Sequence, residues 1–421
     1  MADLELIHFT PMRSVVEDGS IRWERDKLNR PISKLPQIFW ANGAPWREAN
    51  HWALTRVYST AGGHIKTVTS LMKHLAAYAS WLDDMGLDWR HFPARLQDRT
   101  VVLFRAELIA QRNRGSLAPS TAKARMAAVL QFYRHAKAYG LVNRTSPLWN
   151  DKQVVIRYFD TVGFERSLLQ VSSELAIRNR ARPGLVLEDG LTPLRLEHAN
   201  SLLEFTREQQ LEELNLMLSI GLLTGARIGS ITTLSVKNIE GAIDDDSMRG
   251  AYRIRVGPGT GVDTKGNVSG YLVVPHDLLN RLKTYAYSMQ RLRRQDKASA
   301  TNRGLLFLTV RGNPYTAQSF NSLMTDLRRR AVSAGMRFMQ SFKFHQTRAT
   351  FGTTLMGLAM QVTDLKTAVA FVRDALLHKD DKTTMLYVRF IQEAPVRALI
   401  SDEFSRAFSG LVDRDWNQLN A

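Results

Sequence analysis

Two arginines, two histidines and one late tyrosine stand in an order that suits chemistry on a phosphodiester. Arg227 ends the segment 224–227 (Thr-Gly-Ala-Arg), His345 and Arg348 bracket the segment 345–348, and Tyr387 follows His378 by nine residues. Guanidinium groups can stabilise the negative charge of a phosphorane, imidazoles can carry protons, and a phenol can act as the nucleophile. Together they could break and rejoin a phosphodiester without a metal ion.

The residue types suggest a role for each group. A phenol has a reference pKa of about 10, so a tyrosine nucleophile such as Tyr387 needs a base and cationic surroundings at neutral pH. Arg227 and Arg348 would each offer a planar fork of donors to the non-bridging phosphate oxygens. His345 precedes Arg348 by three residues, which on a helix or turn puts both on one side, so His345 can exchange a proton with the tyrosine. His378 would hydrogen-bond the phosphate from the other side.

These segments resemble the tyrosine recombinase (phage integrase) family. Its catalytic domain carries an arginine in a Thr-Gly-x-Arg turn, then His-x-x-Arg, then Leu-Gly-His-x4-Thr-Thr-x-x-Tyr. All three motifs occur in order, and the resemblance covers roughly residues 190–395. Each motif alone is a weak signal, since His-x-x-Arg occurs by chance in many proteins, but the ordered set is specific.

The resemblance implies a DNA strand transferase that forms a covalent 3′-phosphotyrosine intermediate and uses neither a metal nor another cofactor. It also implies a mainly α fold with a small antiparallel β-sheet, in which a helical core-binding (SAM-like) domain accompanies the catalytic domain. The family's fifth catalytic group is a lysine on a β-hairpin that protonates the leaving 5′-oxygen. The runs 251–256 and 270–275 predict such a hairpin, and Lys265 is its only lysine.

The chain departs from the family pattern at two positions. Ser230 stands where an acidic residue often follows the first arginine, so we expect Arg227 to be buttressed differently. Leu377 replaces the glycine before His378, and glycine is the residue that tolerates positive φ. The backbone at Leu377 must therefore differ from the family pattern or be strained.

The composition favours a nucleic-acid partner. A chain of 421 residues can form two or three domains with their own cores, and a net charge of +17 suits double-stranded DNA, although a merely basic protein would share it. The absence of cysteine excludes disulfides, zinc–thiolate sites and cysteine nucleophiles. No apolar stretch approaches the roughly 18 residues that span a bilayer, and no leader pattern is present, so we expect a soluble, cytoplasmic protein without a membrane partner.

Changes in periodicity divide the chain into five expected segments. Residues 1–58 are polar and irregular, interrupted by proline and rich in tryptophan, which predicts an extended arm or a small extra subdomain. We expect the tryptophans to pack, with stacking on bases as the alternative. The other segments are a helical core-binding domain (59–150), a linker (151–190), the catalytic domain (191–395) and a C-terminal helix or tail for subunit contact (396–421).

The expected DNA contacts are basic residues outside the catalytic motifs. Apolar residues recur at helical spacing from about residue 60 and again between Pro119 and Gly140, and lysines and arginines lie beside the second apolar face. A solvated helix face is the alternative for these side chains. A basic run before the catalytic domain could lie along the phosphate backbone. The candidates are Lys123, Arg134, Lys137, Arg178, Arg180 and Arg182.

The expected assembly is a homotetramer on two DNA sites with inverted-repeat core sequences, and accessory DNA-bending or directionality factors stay open. Apolar residues after Pro395 recur at helical spacing, which predicts a terminal helix that docks into a neighbouring subunit or folds back on its own domain. These residues are Ile400, Phe404, Phe408 and Leu411.

Other functions share parts of this pattern. A type IB topoisomerase or a hairpin-forming telomere resolvase would use the same tyrosine chemistry, and a DNA-binding homologue could have lost catalysis. A generic nuclease fits less well, because it would usually bring a metal site.

Overall fold

Helices dominate the described part of the chain, where four small antiparallel sheets accompany them. The computed structural model describes residues 1–18, 20–59, 63–143, 145–159, 165–178, 187 and 190–395. It confirms the expected mainly α class, although only one of the four sheets was expected. The chain divides into two units, residues 1–181 and 182–421.

The first unit combines four helices with three two-stranded sheets in its described part. The strand pairs are β1 (Asp3–Phe9) with β4 (Ile32–Phe39), β2 (Met12–Glu17) with β3 (Ser20–Arg25), and β5 (Asp151–Phe159) with β6 (Glu165–Ser173). The helices are α1 (Arg47–Tyr58), α2 (Ile65–Met85), α3 (Thr100–Asn113) and α4 (Pro119–Ala138), with a 3-10 turn at Leu96–Asp98.

The core of the first unit is rich in aromatic side chains. Trp46 and Trp52 of the N-terminal segment pack with residues of α2 and α4. The Tyr78 hydroxyl lies 2.6 Å from that of Tyr133, which donates to the Trp89 carbonyl at 2.6 Å. Burial raises the pKa of both phenols, so they stay neutral donors inside the core.

The structure corrects the description of residues 1–58 as irregular. This segment forms β1 to β4 and α1, because β1 pairs with β4 along a ladder in which Leu4 faces Ile38. Strand pairing depends on a partner distant in sequence, which the prolines and polar residues concealed. The expected packing of tryptophan holds for the buried Trp46 and Trp52, whereas 64% of Trp23 on β3 is exposed.

The segment 151–190 also differs from a simple linker. Its first part forms the β5–β6 hairpin, with Asp151 opposite Ser173. The expected C-terminal helix or tail (396–421) lies outside the described residues. No helix in the described ranges combines the length and apolar character that a membrane span requires.

The second unit surrounds a three-stranded sheet with helices. The strands are β7 (Ile243–Asp244), β8 (Ala251–Val256) and β9 (Gly270–Pro275), in the order β7-β8-β9. The helices are α5 (Leu196–Glu208), α6 (Glu212–Thr224), α7 (Ile228–Thr232), α8 (Val236–Glu240), α9 (His276–Ala286), α10 (Met289–Asp296), α11 (Ala317–Ser333), α12 (His345–Val362), α13 (Leu365–Ala375) and α14 (381–395), with a 3-10 turn at Arg337–Ser341.

Two helices with extensively buried segments position the site. α6 buries most of its residues, which fits its almost uniformly apolar sequence between Leu214 and Leu223. α12 buries most of its first two turns, from Gln346 to Thr350. Gly221 of α6 lies against Thr347 of α12, and a Cβ there would overlap the threonine side chain. The two helices can therefore approach closely enough to bring their motifs together.

Candidate active site

Arg227 lies at the junction of α6 and α7. α6 ends at Thr224, and Gly225 follows in the left-handed conformation with φ of 64°. A Cβ on Gly225 would come within 2.5 Å of the Phe351 ring, so glycine alone fits this turn beside α12. Arg227 immediately precedes α7 and is half-buried. The Thr-Gly-x-Arg segment is therefore a helix C-cap that leads directly into the next helix.

Arg348 connects three segments of the site. It lies in the first turn of α12, three residues after His345, and only 3% of it is exposed. One terminal nitrogen donates to the Gly225 carbonyl and the other to the Leu376 carbonyl, both at 2.7 Å. The planar guanidinium thereby fixes the turn before Arg227 relative to the end of α13. The sequence suggested a phosphate ligand here, and the structure adds this bridging role.

Lys265 lies beside the two arginines. It is exposed in the turn between β8 and β9, and it lines one small cavity with Arg227 and Arg348. The hairpin has the expected bounds, with Val256 opposite Gly270. Three cationic side chains around one cavity offer concentrated positive charge to an anion.

The first departure from the family pattern supports the hairpin turn. Ser230 donates from its hydroxyl to the Asp263 carbonyl at 2.7 Å. Thr233 accepts from the Asp263 N–H at 2.9 Å. Both residues belong to the segment of α7, so this segment holds one end of the turn that carries Lys265. A carboxylate at position 230 could have contacted Arg227 directly.

His378 is oriented by a buried threonine. It follows α13, it is 8% exposed, and its Nδ1 lies 2.8 Å from the Thr384 hydroxyl. Leu377 before it has φ of 52°. The chain therefore keeps the left-handed turn although leucine replaces glycine there, and the backbone at Leu377 is strained. The Thr384 contact fixes the ring plane and leaves Nε2 as the nitrogen that can point away from it.

Tyr387 is fully buried, with no exposed surface. Its ring lies on Gly352 of α12, where a Cβ would come within 2.5 Å of Cε1 and 2.8 Å of Cζ. The ring centroids of Tyr387 and His378 are 6.2 Å apart. A phosphate of a DNA duplex cannot reach a phenol in this position, so the structure shows the tyrosine withdrawn from solvent.

Comparison with known proteins finds a family match over part of the chain. The model of the phage integrase family matches residues 193–393, which include every proposed catalytic position. This segment, slightly less than half of the chain, is similar to that family, and it contains the three motifs in the order typical of tyrosine recombinases. No curated protein sequence matches the chain.

Solved integrase structures are similar to the chain in fold. A Tn1549 transposon integrase in complex with a circular intermediate DNA aligns with a TM-score of 0.50 at 13% identity, over 81% of this chain and 93% of that one. The same integrase with transposon right end DNA gives 0.49 at 13% identity, over 81% and 93%. A lambda integrase dimer bound to a COC′ core site gives 0.46 at 15% identity, over 81% and 94%. At such identities the first match shows the fold alone, and the scores of the other two are too low to support an argument.

The basic residues proposed to contact DNA differ in exposure and in pairing. Lys123 and Lys137 are exposed on α4, and Arg178 is exposed after β6. Arg134 instead pairs with Asp151 at 2.9 Å, so part of its charge is neutralised within the protein. Arg180 and Arg182 lie outside the described residues.

The sequence reasoning missed one basic cluster. Arg105 and Arg112 on α3 line a cavity with Lys152 and Arg178, and the serines of β6 complete its wall. The two arginines are seven residues apart, which puts them on one face of a helix two turns apart, so their spacing was a usable signal. It also missed Thr384, whose place in the Thr-Thr pair of the third motif was visible. No group of three or more potential metal ligands occurs in the ranges that the structure describes.

Proposed function

We propose that the chain is a site-specific tyrosine recombinase that cuts one DNA strand and rejoins it to a partner through a 3′-phosphotyrosine link. The observation that carries this proposal is the convergence of Arg227, Lys265 and Arg348 on one cavity, next to the segment that leads through His378 to Tyr387. The match of residues 193–393 to the phage integrase family model supports the same reaction class.

The proposed cleavage is a transesterification. The phenolic oxygen of Tyr387 bonds to phosphorus while the bond from phosphorus to the 5′-oxygen breaks. The phenolic proton passes to His345, and Lys265 gives a proton to the leaving 5′-oxygen. Religation reverses each transfer with the 5′-hydroxyl of another strand, so no bond energy is lost and ATP is not required.

Positive charge stabilises the phosphorane in this scheme. Arg227, Arg348 and His378 would donate to its non-bridging oxygens, in place of a divalent ion. Tyr387 must first leave the surface of Gly352, because its buried hydroxyl has no exposed surface. DNA binding is the natural trigger, since it brings an anion to the cavity that the cations surround.

Trapping on a nicked suicide substrate tests the reaction. Tyr387→Phe should abolish covalent adduct and keep DNA binding, because it removes one hydroxyl and leaves the ring in the core. Tyr287→Phe, which changes an exposed tyrosine elsewhere on the unit, should form adduct at the parent rate. Adduct from the Tyr387 variant at the parent rate would show that another nucleophile acts.

The complete burial of Tyr387 favours one rival, a DNA-binding homologue without catalysis. The same trapping experiment separates the two, because such a homologue gives no adduct with the parent sequence on any nicked site. A relaxation assay on supercoiled plasmid without a target site separates a topoisomerase, which would relax it, from a recombinase that requires its sites.

If Arg227 and Arg348 stabilise the negative charge of the phosphorane in place of a metal ion, cleavage should proceed in EDTA. A strict magnesium requirement for the chemical step would contradict this mechanism. The reaction is scored as adduct on the same suicide substrate, with and without added magnesium.

The first unit is proposed to hold DNA through its exposed basic residues. Affinity should then fall with salt at a log–log slope of about −0.9 per phosphate contacted. Lys123→Ala and Lys137→Ala should each reduce that slope by about 1, whereas Arg134→Ala should change it less because Asp151 already pairs with Arg134. If all three substitutions change the salt slope equally, the pairing of Arg134 with Asp151 does not limit its contact with DNA.

We further propose that the recombinase works as a tetramer on two DNA sites, joined by its C-terminal segment. The second unit has an apolar groove lined by Leu223, Tyr271, Phe351, Leu355 and Phe371. Apolar positions 400, 404, 408 and 411 belong to the 26 residues that follow α14. A terminal segment docked in a neighbour's groove would couple the subunits, so that only some tyrosines react at once.

Deleting the residues after 398 should spare binding to a single half-site and weaken cooperative assembly and recombination. Phe371→Ser should reproduce this effect from the groove side, and Leu358→Ser, at an exposed position on α12 that does not line the groove, should not. Unchanged assembly in gel shift by the truncated protein would exclude the coupling role.

A further inference from the structure

Residues 377–379 lie directly against the hairpin that carries Lys265. A Cβ on Gly270, the first residue of β9, would overlap Leu377 Cδ2. A Cβ on Gly266 would come within 2.6 Å of Lys379 Nζ and 2.7 Å of Cε. The hairpin therefore has glycine at both contacts: Leu377 packs on Gly270, and the end of the Lys379 side chain lies over Gly266.

Leu377 occupies a position where helices usually have glycine. α13 ends in a Schellman motif, in which the His378 N–H donates to the Arg373 carbonyl at 3.0 Å and the Leu377 N–H to the Asp374 carbonyl at 3.1 Å. The residue at this position takes a left-handed conformation, and Leu377 has φ of 52°. A glycine would adopt it without strain. Leu377 therefore destabilises its own left-handed turn. Its side chain also makes the contact with Gly270, which a glycine could not make.

The hairpin turn is held from two sides. Ser230 and Thr233 bind the main chain of Asp263, two residues before Lys265. Leu377 and Lys379 cover the glycines that follow Lys265. The covering segment continues into His378, whose ring packs near Tyr387, so the position of Lys265 is tied to the segment that presents the nucleophile.

We propose that Leu377 and Lys379 are positioning residues for Lys265, which clamp the β8–β9 turn so that the Lys265 ammonium meets the leaving 5′-oxygen. This role rests on the proposed function, in which Lys265 protonates that oxygen. Neither clamp residue touches the reacting atoms. Leu377 acts through Gly270, and Lys379 acts through Gly266 by the end of its side chain, where Nζ and Cε make the closest approach.

The experiment compares adduct formation on two suicide substrates. One has the normal 5′-oxygen at the scissile phosphate, and the other has sulfur in that place, because a thiolate leaves without a proton. Lys265→Ala is the reference: it should lose roughly a hundredfold or more on the oxygen substrate and recover on sulfur. Leu377→Gly should keep DNA binding and thermal stability, since it relieves the strained turn, yet lose about tenfold on oxygen and little on sulfur.

Three further variants separate packing from chemistry. Lys379→Met keeps the stem and should cleave the oxygen substrate near the parent rate, whereas Lys379→Ala should lose activity and recover on sulfur. Gly270→Ala should impair the parent but have little added effect in the Leu377→Gly background, because the overlap is then gone.

Each result decides a specific point. Leu377→Gly at the parent rate on both substrates, or with equal losses on both, would overturn the clamp. A sulfur-rescued loss in Lys379→Met would make its ammonium the proton donor and overturn the positioning role. Lys265→Ala without sulfur rescue, or Tyr387→Phe with adduct, would instead refute the proposed function.

Discussion

The second unit packs the apolar residues of its described part into two clusters that differ in size and content. The larger joins α6, α9, α11, β8 and β9 and is filled by leucine, isoleucine and phenylalanine, including the fully buried Phe307. The smaller joins α12, α13 and α14 and is built largely of alanine and valine around Tyr387. Because the free energy of burial scales with apolar area, the smaller cluster holds its members less strongly.

The difference matches what each cluster carries. Ala226 next to Arg227, and Val256 and Val262 at the base of the hairpin, belong to the larger cluster. Arg227 and Lys265 are thus attached to the more extensive core, whereas Arg348 lies on α12, a helix of the smaller one. Tyr387, the proposed nucleophile, is itself a member of the smaller core, so the proposed reaction requires one core residue to leave. The second unit therefore combines a half built on the larger cluster, here called the fixed half, with a half from which Tyr387 can be released.

The largest expected effect lies in the fixed half. Arg294 on α10 pairs with the buried Glu213 at the start of α6, and Tyr315 also donates to that carboxylate at 2.9 Å. Arg294→Met would leave the carboxylate buried without its cation, so the free energy of unfolding should fall by about 3–5 kcal/mol at pH 7. Arg293→Met, at the exposed neighbouring position, should have almost no effect in the same urea titration.

The pH dependence of this variant has a definite sign. Burial already raises the pKa of Glu213 above its ordinary value of 4.5. A carboxyl with a raised folded pKa binds its proton more readily in the folded state, so stability rises as pH falls towards 4.5. Arg294→Met should therefore regain part of its loss between pH 7 and pH 5. A variant that is equally unstable at both values would show that Glu213 is not the group left unpaired.

An intermediate effect is expected where Tyr387 meets α12. Gly352→Ala places a methyl group within 2.5 Å of the Tyr387 ring and 3.0 Å of Leu376 Cδ1, so it should cost about 1–3 kcal/mol through overpacking. It should also favour the released tyrosine and raise the initial rate of adduct formation. Gly357→Ala on the same helix meets only Ile391 at 3.9 Å and should stabilise by about 0.5–1 kcal/mol. If both variants behave alike, the close contact with Tyr387 has no consequence.

The smallest effect concerns the contact that orients His378. Thr384→Val keeps the shape of a fully buried side chain and removes its hydrogen bond to Nδ1, so we expect a loss of about 1 kcal/mol. Cleavage should fall further than binding, because the imidazole loses its fixed plane. Thr383→Val, at the half-buried neighbour that contacts Asp380, serves as the control. Proton NMR of the His378 ring in both variants would report the change directly.

Several elements were predictable because their signals are local. The helix α4 begins at Pro119, as expected from the proline and the apolar spacing that follows it, and the strands β8 and β9 have the expected bounds. The pairing of β1 with β4 was missed because those strands are not adjacent in sequence, whereas β2–β3 and β5–β6 are adjacent hairpins whose local signals were overlooked. The roles of the six catalytic candidates and the expected domain limits remain predictions.

The sequence by itself determined which candidate reacting groups the chain has and in what order they occur, because the motifs are recognised by residue type and spacing along the chain. Only the tertiary structure decided how they meet. Arg348 binds the carbonyl of Gly225, 123 residues away, and Tyr387 lies over Gly352 on another helix. Such contacts depend on how closely two helices approach, and that distance is set by glycines whose effect appears only when both surfaces are packed. The withdrawal of the tyrosine is therefore a property of the fold, although its identity could be predicted from the sequence.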